Sequence, residues 1–183
     1  MKLKLKIFSI CFLVSALMGI LFFFFGFMLL PNEKFEPDLK PVFTTIFFTN
    51  LEIHGFALLF SILSFGLFSI VFLFEQFFYL GYIFHSLMEL TSFKTAYSFF
   101  AGHGVLEVIN MFFTATIGIY TWTLIVKMIK RKEFKKHSFI RLGRELFILF
   151  IIDIVLIFIT ALLETFLSPM LVDKSNISHL YLK

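Results

Sequence analysis

The stretch Ile7–Leu30, IFSICFLVSALMGILFFFFGFMLL, contains 24 residues and no charge. A helix of about 20 apolar residues crosses the hydrocarbon core of a bilayer, which is about 30 Å thick. Lys2, Lys4 and Lys6 precede the stretch, as basic residues precede the apolar part of a signal peptide. That part is only about 7–15 residues long and ends at a small-residue cleavage site. No such site follows here, so the stretch predicts a retained transmembrane helix.

The composition of the whole chain agrees with a membrane protein. The 183 residues are 60% hydrophobic and 15% charged, with a mean hydropathy of +0.97. A soluble domain of this size has too little interior to bury so much apolar surface. The apolar runs do not alternate with polar residues, as the strands of a membrane barrel would. We therefore expect an all-α, polytopic transmembrane helical bundle.

The number of spans follows from the lengths of the apolar runs. The zone Val42–Met88 is too long for one crossing at about 1.5 Å per residue. It predicts two helices with a turn near Gly66 or near Glu75–Gln76. We expect a single integral membrane domain over residues 1–183, with about five spans at 7–30, 43–66, 67–88, 104–126 and 146–167.

The orientation follows from the basic residues. Half of the sixteen Lys and Arg residues fall between Lys127 and Arg144, against the single acid Glu133. By the positive-inside rule this basic loop, 127–144, is cytoplasmic, and so is the Lys-rich N-terminus. Four crossings must then separate them, which predicts an N-terminus in the cytoplasm and a C-terminus outside. The expected location is the cell membrane, multi-pass. A basic loop of this kind faces anionic lipid heads, and we expect no nucleic-acid partner.

Ionisable side chains inside membrane spans are rare and often functional. His103, Glu107 and Asn110 have the i, i+4, i+7 spacing of one helix face. The predicted topology brings Glu107 and Glu164 to similar depth near the outer leaflet, with Asp153 nearer the cytoplasmic side. It also places His54 near the start of the second span. The candidate functional or packing cluster is His103, Glu107, Asn110, Asp153 and Glu164.

Three interpretations of this cluster differ in chemistry. Hydrogen bonds between the helices could fix their packing. His103, Glu107 and Glu164 could instead hold zinc or iron, or form an ion or proton pathway. The spacing H-x-x-x-E is not the H-E-x-x-H of metalloproteases, and no nucleophile motif is present. We expect the structural interpretation, with no catalytic residue, cofactor or metal.

Three segments resemble the stage II sporulation protein M family of membrane proteins. Asn50 precedes a double span that contains Gly66 and Gly81. The segment 102–107, GHGVLE, is similar to the family's P-H-G-x-x-E block. The segment 161–169, ALLETFLSP, is similar to its A-x-x-E-x-x-x-x-P ending. Gly102 replaces the family's proline and is expected to loosen the start of the fourth helix. The family-matching positions are Asn50, Gly66, Gly81, Gly104 and Pro169.

The resemblance implies a non-enzymatic membrane scaffold or accessory subunit of a cell-envelope complex. Beside the lipid bilayer, the implied partners are other envelope membrane proteins, such as peptidoglycan-modifying proteins or an ABC transporter. A homo-oligomer also fits the resemblance. The first alternative is a membrane helper for the export, maturation or immunity of a secreted antimicrobial peptide of the circular bacteriocin type. The second is an intramembrane metalloenzyme or an ion or proton pathway that uses His103, Glu107 and Glu164.

Overall fold

The computed structural model describes residues 2–29, 42–90, 93–132 and 136–166. Within these ranges, the side chains of residues 2, 3, 90, 95, 98–103 and 136 are not described. The described chain is entirely helical, and all five helices are long and apolar enough to cross a membrane. The predicted all-α bundle of five spans is confirmed. The helices are α1 (Lys2–Phe27), α2 (Phe43–Leu63), α3 (Leu67–Leu90), α4 (Phe93–Lys130) and α5 (Lys136–Phe166).

Helix α4 lies at the centre of the bundle and packs against each of the other four helices. It runs antiparallel to α1, since Cys11 lies near Thr123 while Gly19 lies against Phe112. An ion pair between Lys4 and Glu145 joins the start of α1 to α5. The N-terminal residues and the basic segment therefore lie at the same end of the bundle. The placement of that end in the cytoplasm remains a prediction.

A three-residue turn, Ser64–Gly66, connects α2 to α3. Phe65 and Gly66 have φ angles of 60° and 82°, a left-handed conformation that glycine adopts without steric penalty. The Ser64 hydroxyl accepts a hydrogen bond of 2.8 Å from the backbone N–H of Phe68, which caps the start of α3. Of the two predicted turn positions, the one near Gly66 is correct. Glu75 and Gln76 lie inside α3.

The only tryptophan of the chain, Trp122, anchors this turn to α4. Its indole Nε1 lies 3.0 Å from the carbonyl oxygens of both Ser61 and Ile62, to which it donates. These carbonyls belong to the last turn of α2, where the helix itself supplies no partners, although the Ser61 carbonyl also accepts a hydrogen bond of 2.8 Å from the backbone N–H of Gly66 in the turn. The indole also packs on the ring of Phe65, at a centroid distance of 4.2 Å. One side chain of α4 thus satisfies the end of α2 and covers the turn.

The predicted fourth span, 104–126, begins at the same residue as the apolar stretch Gly104–Lys130 of the structure, but the helix that contains it is longer. Helix α4 begins at Phe93 and is 38 residues long. At 1.5 Å per residue it extends about 57 Å, well beyond the hydrocarbon thickness. Hydropathy detects only the part that crosses the apolar core, so the more polar first turns escaped detection. Gly102 therefore lies within α4 and not at its start.

The predicted loop 127–144 is also mostly helical. Helix α4 continues to Lys130 and α5 already begins at Lys136. Lysine and arginine are good helix formers, and their long side chains reach the interface while the backbone stays helical. Most of the basic residues therefore lie in the last turn of α4 and the first turns of α5.

Helices α1 and α3 approach each other through two glycines. A Cβ atom at Gly26 would overlap the carbonyl oxygen of Phe78, and one at Gly81 would overlap the carbonyl oxygen of Phe23. Each glycine thus allows the backbone of the other helix to come into contact. We call this contact, formed by Phe23, Gly26, Phe78 and Gly81, the glycine interface. It gives Gly81, one of the family-matching positions, a physical role.

The polar and apolar residues are distributed as expected in lipid. The buried residues include many small and polar side chains, such as Ser15, Ser61, Ser69, Thr116 and Thr121. Large apolar side chains lie on the outside, including Leu21 and Phe25 of α1, which are 64% and 61% exposed. Lipid tails solvate apolar side chains well, so the helices associate through small and polar residues.

Candidate functional site

Three polar side chains from three helices meet in the middle of the bundle. His54 of α2, Thr114 of α4 and Asp153 of α5 are 3%, 1% and 1% exposed. His54 Nδ1 lies 2.6 Å from Thr114 Oγ1, and the Thr114 hydroxyl donates to Asp153 Oδ1 over 2.7 Å. His54 Nδ1 and Asp153 Oδ1 are 4.0 Å apart. We call these three residues the polar bridge, because they join α2 to α5 through α4.

The helix faces around the polar bridge explain why these side chains can meet. The buried face of α2 is formed by His54, Ala57, Leu58 and Ser61, a spacing of i, i+3, i+4, i+7. On α4, Asn110 and Thr114 are both buried and one turn apart. The small residues on these faces let the backbones approach closely enough for short side chains to bond. The ring of Phe72 on α3 closes the space above the imidazole, at 5.6 Å between centroids.

The hydroxyl of Thr114 has one proton, which limits how the polar bridge can be bonded. If Thr114 donates to a carboxylate at Asp153, then His54 must donate from Nδ1. A neutral His54 with its proton on Nδ1 donates in this way as well as an imidazolium does, and the Thr114 hydroxyl also lies 3.1 Å from a second acceptor, the backbone carbonyl oxygen of Asn110. If Asp153 carries the proton instead, it donates to Thr114, and Thr114 donates to a neutral His54 or to that carbonyl. The imidazolium–carboxylate arrangement and the neutral arrangement in which Thr114 donates to His54 have the same net charge and differ by one proton shifted along each hydrogen bond.

Two buried oxygen atoms at the polar bridge have no hydrogen-bond partner within the described part of the molecule. They are Asp153 Oδ2 and Asn110 Oδ1. A buried acceptor without a donor destabilises a protein by about 1–3 kcal/mol. Among the described side chains, the polar bridge and its neighbour Asn110 therefore have more acceptor capacity than donors. Such a group can accept a further proton or polar hydrogen without rearrangement of the helices.

Glu107 of α4 and Glu164 of α5 form a pair of carboxyl groups that lies farther than the polar bridge from the basic end of the bundle. Both side chains are partly buried, and the charge of Glu164 acts on the Glu107 carboxyl group. Their proximity follows from the antiparallel packing of α4 and α5, which also joins Thr114 to Asp153. His103 lies on α4, one turn before Glu107, but its side chain is outside the described set. Pro169 lies outside the described residues altogether.

The predicted cluster is thus divided between two levels of the bundle. Asp153 lies in the middle of the span His137–Phe166, nearer the basic end of α5 than Glu164. His54 was expected near the start of its helix, but it lies in the middle of Phe43–Leu63. Asn110 belongs with the polar bridge, while Glu107 belongs with Glu164.

The pairing of His54 with Asp153 was not predicted from the sequence. The sequence nevertheless indicates which face of each helix packs inside the bundle. Each residue lies on the one face of its helix that carries small or polar residues, Ala57 and Ser61 for His54, and Thr160 and Ala161 for Asp153. In a lipid-embedded helix that face is the one that packs against its neighbours.

The other family-matching positions lie near these features. Asn50 precedes His54 by one turn on α2 and is half-buried, and Gly104 is buried on α4. Within the described ranges, no group of three or more His, Cys, Asp or Glu residues is arranged to hold a metal ion. The suggested metal ligand set of His103, Glu107 and Glu164 includes the undescribed imidazole of His103.

The comparison with known proteins identifies one family. The family model described as Stage II sporulation protein M matches residues 8–169, most of the chain. No curated protein and no solved structure gives a significant match. The matched range includes the glycine interface, the polar bridge and the Glu107–Glu164 pair. This multi-pass membrane protein belongs to the stage II sporulation protein M family.

Proposed function

We propose that this protein is a non-enzymatic scaffold or accessory subunit of a complex in the cell membrane. The observation that supports the proposal is the use made of the buried polar groups. The side chains that bond to one another across three helices are His54, Thr114 and Asp153. Their hydrogen-bonding groups therefore stabilise the packing of the bundle. A scaffold needs such a fixed arrangement of helices, because partner proteins bind to its outer surface.

The outer surface of the bundle is suited to partner helices as well as to lipid. Helix α5 exposes Phe147, Ile151, Val155 and Phe158 along one side. A second membrane protein could replace lipid on such a face without burial of polar groups. The expected partners are envelope membrane proteins, including peptidoglycan-modifying proteins or an ABC transporter.

Purification of the tagged protein from its native membrane in mild detergent tests this proposal. We expect an envelope protein to co-purify in fixed ratio and to cross-link to photoreactive residues on the exposed side of α5. Photoreactive residues at buried positions of α4 serve as the matched control and should give no cross-link to a partner. A protein that always purifies without a partner would contradict the proposal.

The identity of the partner separates the scaffold from the antimicrobial-peptide alternative. A peptidoglycan-modifying protein would support the scaffold in an envelope complex. An ABC transporter together with a small peptide precursor would instead support a helper for peptide export or immunity. In that case, deletion of the protein should also change the resistance of the host to the peptide.

A proton pathway is the second candidate, and the polar bridge is the observation that favours it. Its two proton arrangements differ by a short shift of protons, and Asp153 Oδ2 has spare acceptor capacity. Proton flux into liposomes that contain the purified protein, followed with a pH-sensitive dye, tests this candidate. Flux that falls in the Asp153→Asn variant but not in a Glu89→Gln control would support it. Equal flux in empty liposomes would exclude it.

A further inference from the structure

A cavity opens at the end of the bundle that carries the basic segment, away from the polar bridge. Its volume is about 330 Å³, and residues of α1, α4 and α5 form its walls, together with Arg131 just after α4. Four of the side chains that line it are cationic, and Ser138 adds a hydroxyl group. We call this cavity the basic pocket, and define it by Lys4, Lys127, Arg131, Ser138 and Arg141.

The charges in the basic pocket are not balanced by the described carboxylates. Glu145 binds Lys4 and lies 3.6 Å from Arg141 Nε, so it offsets part of the charge on one side. Lys127 and Arg131 follow one another at i and i+4 on the other side, and neither is paired with a described carboxylate. Like charges placed this close repel one another, so an anion between them would be stabilised.

The floor of the basic pocket is apolar. Ile7, Leu124, Met128 and Leu142 line it and belong to one of the hydrophobic clusters of the bundle. The pocket therefore has a cationic rim above an apolar base, at the level where the helices leave the hydrocarbon region. A soluble anion would bind only to the rim. A phospholipid presents a phosphate that is joined through glycerol to apolar acyl chains, and these two groups fit both parts of the pocket.

We propose that the basic pocket binds the phosphate of an anionic phospholipid head group. The phosphate accepts hydrogen bonds from Arg131 and Arg141, whose planar guanidinium groups suit bidentate contacts with phosphate. Lys127 and the Ser138 hydroxyl complete the site, and the first acyl carbons lie against Leu124 and Met128. Basic pockets between membrane helices at the cytoplasmic surface are a general means of anionic lipid recognition. The inference does not depend on the scaffold role.

Binding of phosphatidylglycerol and of phosphatidylcholine to the purified full-length protein tests the proposal. Native mass spectrometry in mild detergent counts the bound lipids, and titration with fluorescent lipid gives the affinities. The test variant is Lys127→Gln with Arg131→Gln. The matched control is Lys132→Gln with Arg144→Gln, which removes the same charge from exposed positions outside the pocket.

We expect the pocket variant to bind phosphatidylglycerol about 10-fold more weakly or worse, since each basic residue near anionic lipid contributes to the attraction. The control should lose no more than about 3-fold, and phosphatidylcholine should bind weakly to every variant. Equal losses in the pocket and control variants would overturn the proposal, because they would indicate a diffuse surface charge.

A competition experiment with inorganic phosphate distinguishes a lipid phosphate from a free phosphate as the ligand of the basic pocket. Phosphate at millimolar concentration should compete poorly with the lipid, since it cannot contact the apolar floor. Tight binding of inorganic phosphate to the detergent-purified protein, with no preference for the lipid, would overturn the lipid assignment.

Thermal unfolding curves confirm that the variants are folded, and a Lys127→Arg variant that keeps the affinity for phosphatidylglycerol provides a second check. Loss of affinity in that variant would count against the proposed charge recognition.

Discussion

The glycine interface and the polar bridge hold helices together with opposite kinds of residue. At the glycine interface, Gly26 and Gly81 remove side chains so that the backbones of α1 and α3 touch. At the polar bridge, the side chains of His54, Thr114 and Asp153 reach across the space between three helices and bond. The first depends on shape alone, whereas the second depends on polar groups in a medium without water.

This difference predicts which interface tolerates change. A contact of backbone with backbone has no room for even a methyl group, and a new side chain must push the helices apart. A hydrogen bond between side chains can be replaced by an apolar contact of similar size, and in membranes such bonds average well under 2 kcal/mol. We therefore expect the glycine interface to be the more sensitive of the two.

The largest effect is expected for Gly81→Leu. The new side chain would overlap the carbonyl oxygen of Phe23, so α1 and α3 must separate. We expect a loss of about 3 kcal/mol or more, at the upper end for overpacked sites. Thermal unfolding in mild detergent, followed by circular dichroism, measures it. Gly55→Leu is the control, because a Cβ atom at Gly55 meets nothing within 4 Å. Equal losses in the two variants would contradict the glycine interface.

A smaller loss is expected when the polar bridge is broken by Asp153→Leu. The variant removes the carboxylate that joins α5 to Thr114 and leaves that hydroxyl the more distant carbonyl oxygen of Asn110, at 3.1 Å, on its own helix, and we expect a loss of about 1–2 kcal/mol. Asp153→Asn keeps an oxygen acceptor and should lose less. A double-mutant cycle with Thr114→Val isolates the bond between the two residues, and it should give a coupling of about 0.6–1.7 kcal/mol. A coupling near zero would show that the bridge does not join the helices.

The next effect in size concerns Trp122, where a side chain of α4 satisfies the backbone of α2. Trp122→Phe keeps a ring next to Phe65 but removes the donor to the carbonyls of Ser61 and Ile62. We expect a loss of about 1 kcal/mol. Tyr79→Phe, at an exposed position, should leave the stability unchanged. If both variants unfold together, the indole bonds contribute nothing.

The smallest effect is expected at the surface, for Lys4→Gln. The ion pair of Lys4 with Glu145 is partly exposed, and such pairs contribute about 1 kcal/mol or less. The loss should shrink further at high salt, because salt screens exposed charges. Lys6→Gln, also exposed, is the control. A loss larger than that of Asp153→Leu would reverse the expected order of the interfaces.

The parts of the fold that were predictable are those governed by hydropathy. The lengths of the apolar runs predicted five helices, and the length of the Val42–Met88 zone predicted a turn whose position, at Gly66, only the structure decides. The start of α4 at Phe93 was missed because the first turns are too polar to register as a span.

The candidate site was only partly predictable because side-chain pairing depends on which helix faces which. Asn110 and Thr114 are one turn apart and both buried, so the spacing of the sequence identifies that face of α4. No spacing rule links residue 54 to residue 153, and only the packing of α2 beside α5 brings them together. The Glu107–Glu164 pair was predictable because the order of the spans sets the depth of both residues.

The positions of the two interfaces along the chain also have a consequence for biogenesis. The glycine interface needs only α1 and α3, so it can form before the second half of the chain has been synthesised. His54 enters the membrane with α2, whereas its partners are supplied 60 and 99 residues later by α4 and α5. Until then the imidazole lies in the bilayer without them. The polar bridge therefore closes only after α5 has been inserted, later than the glycine interface.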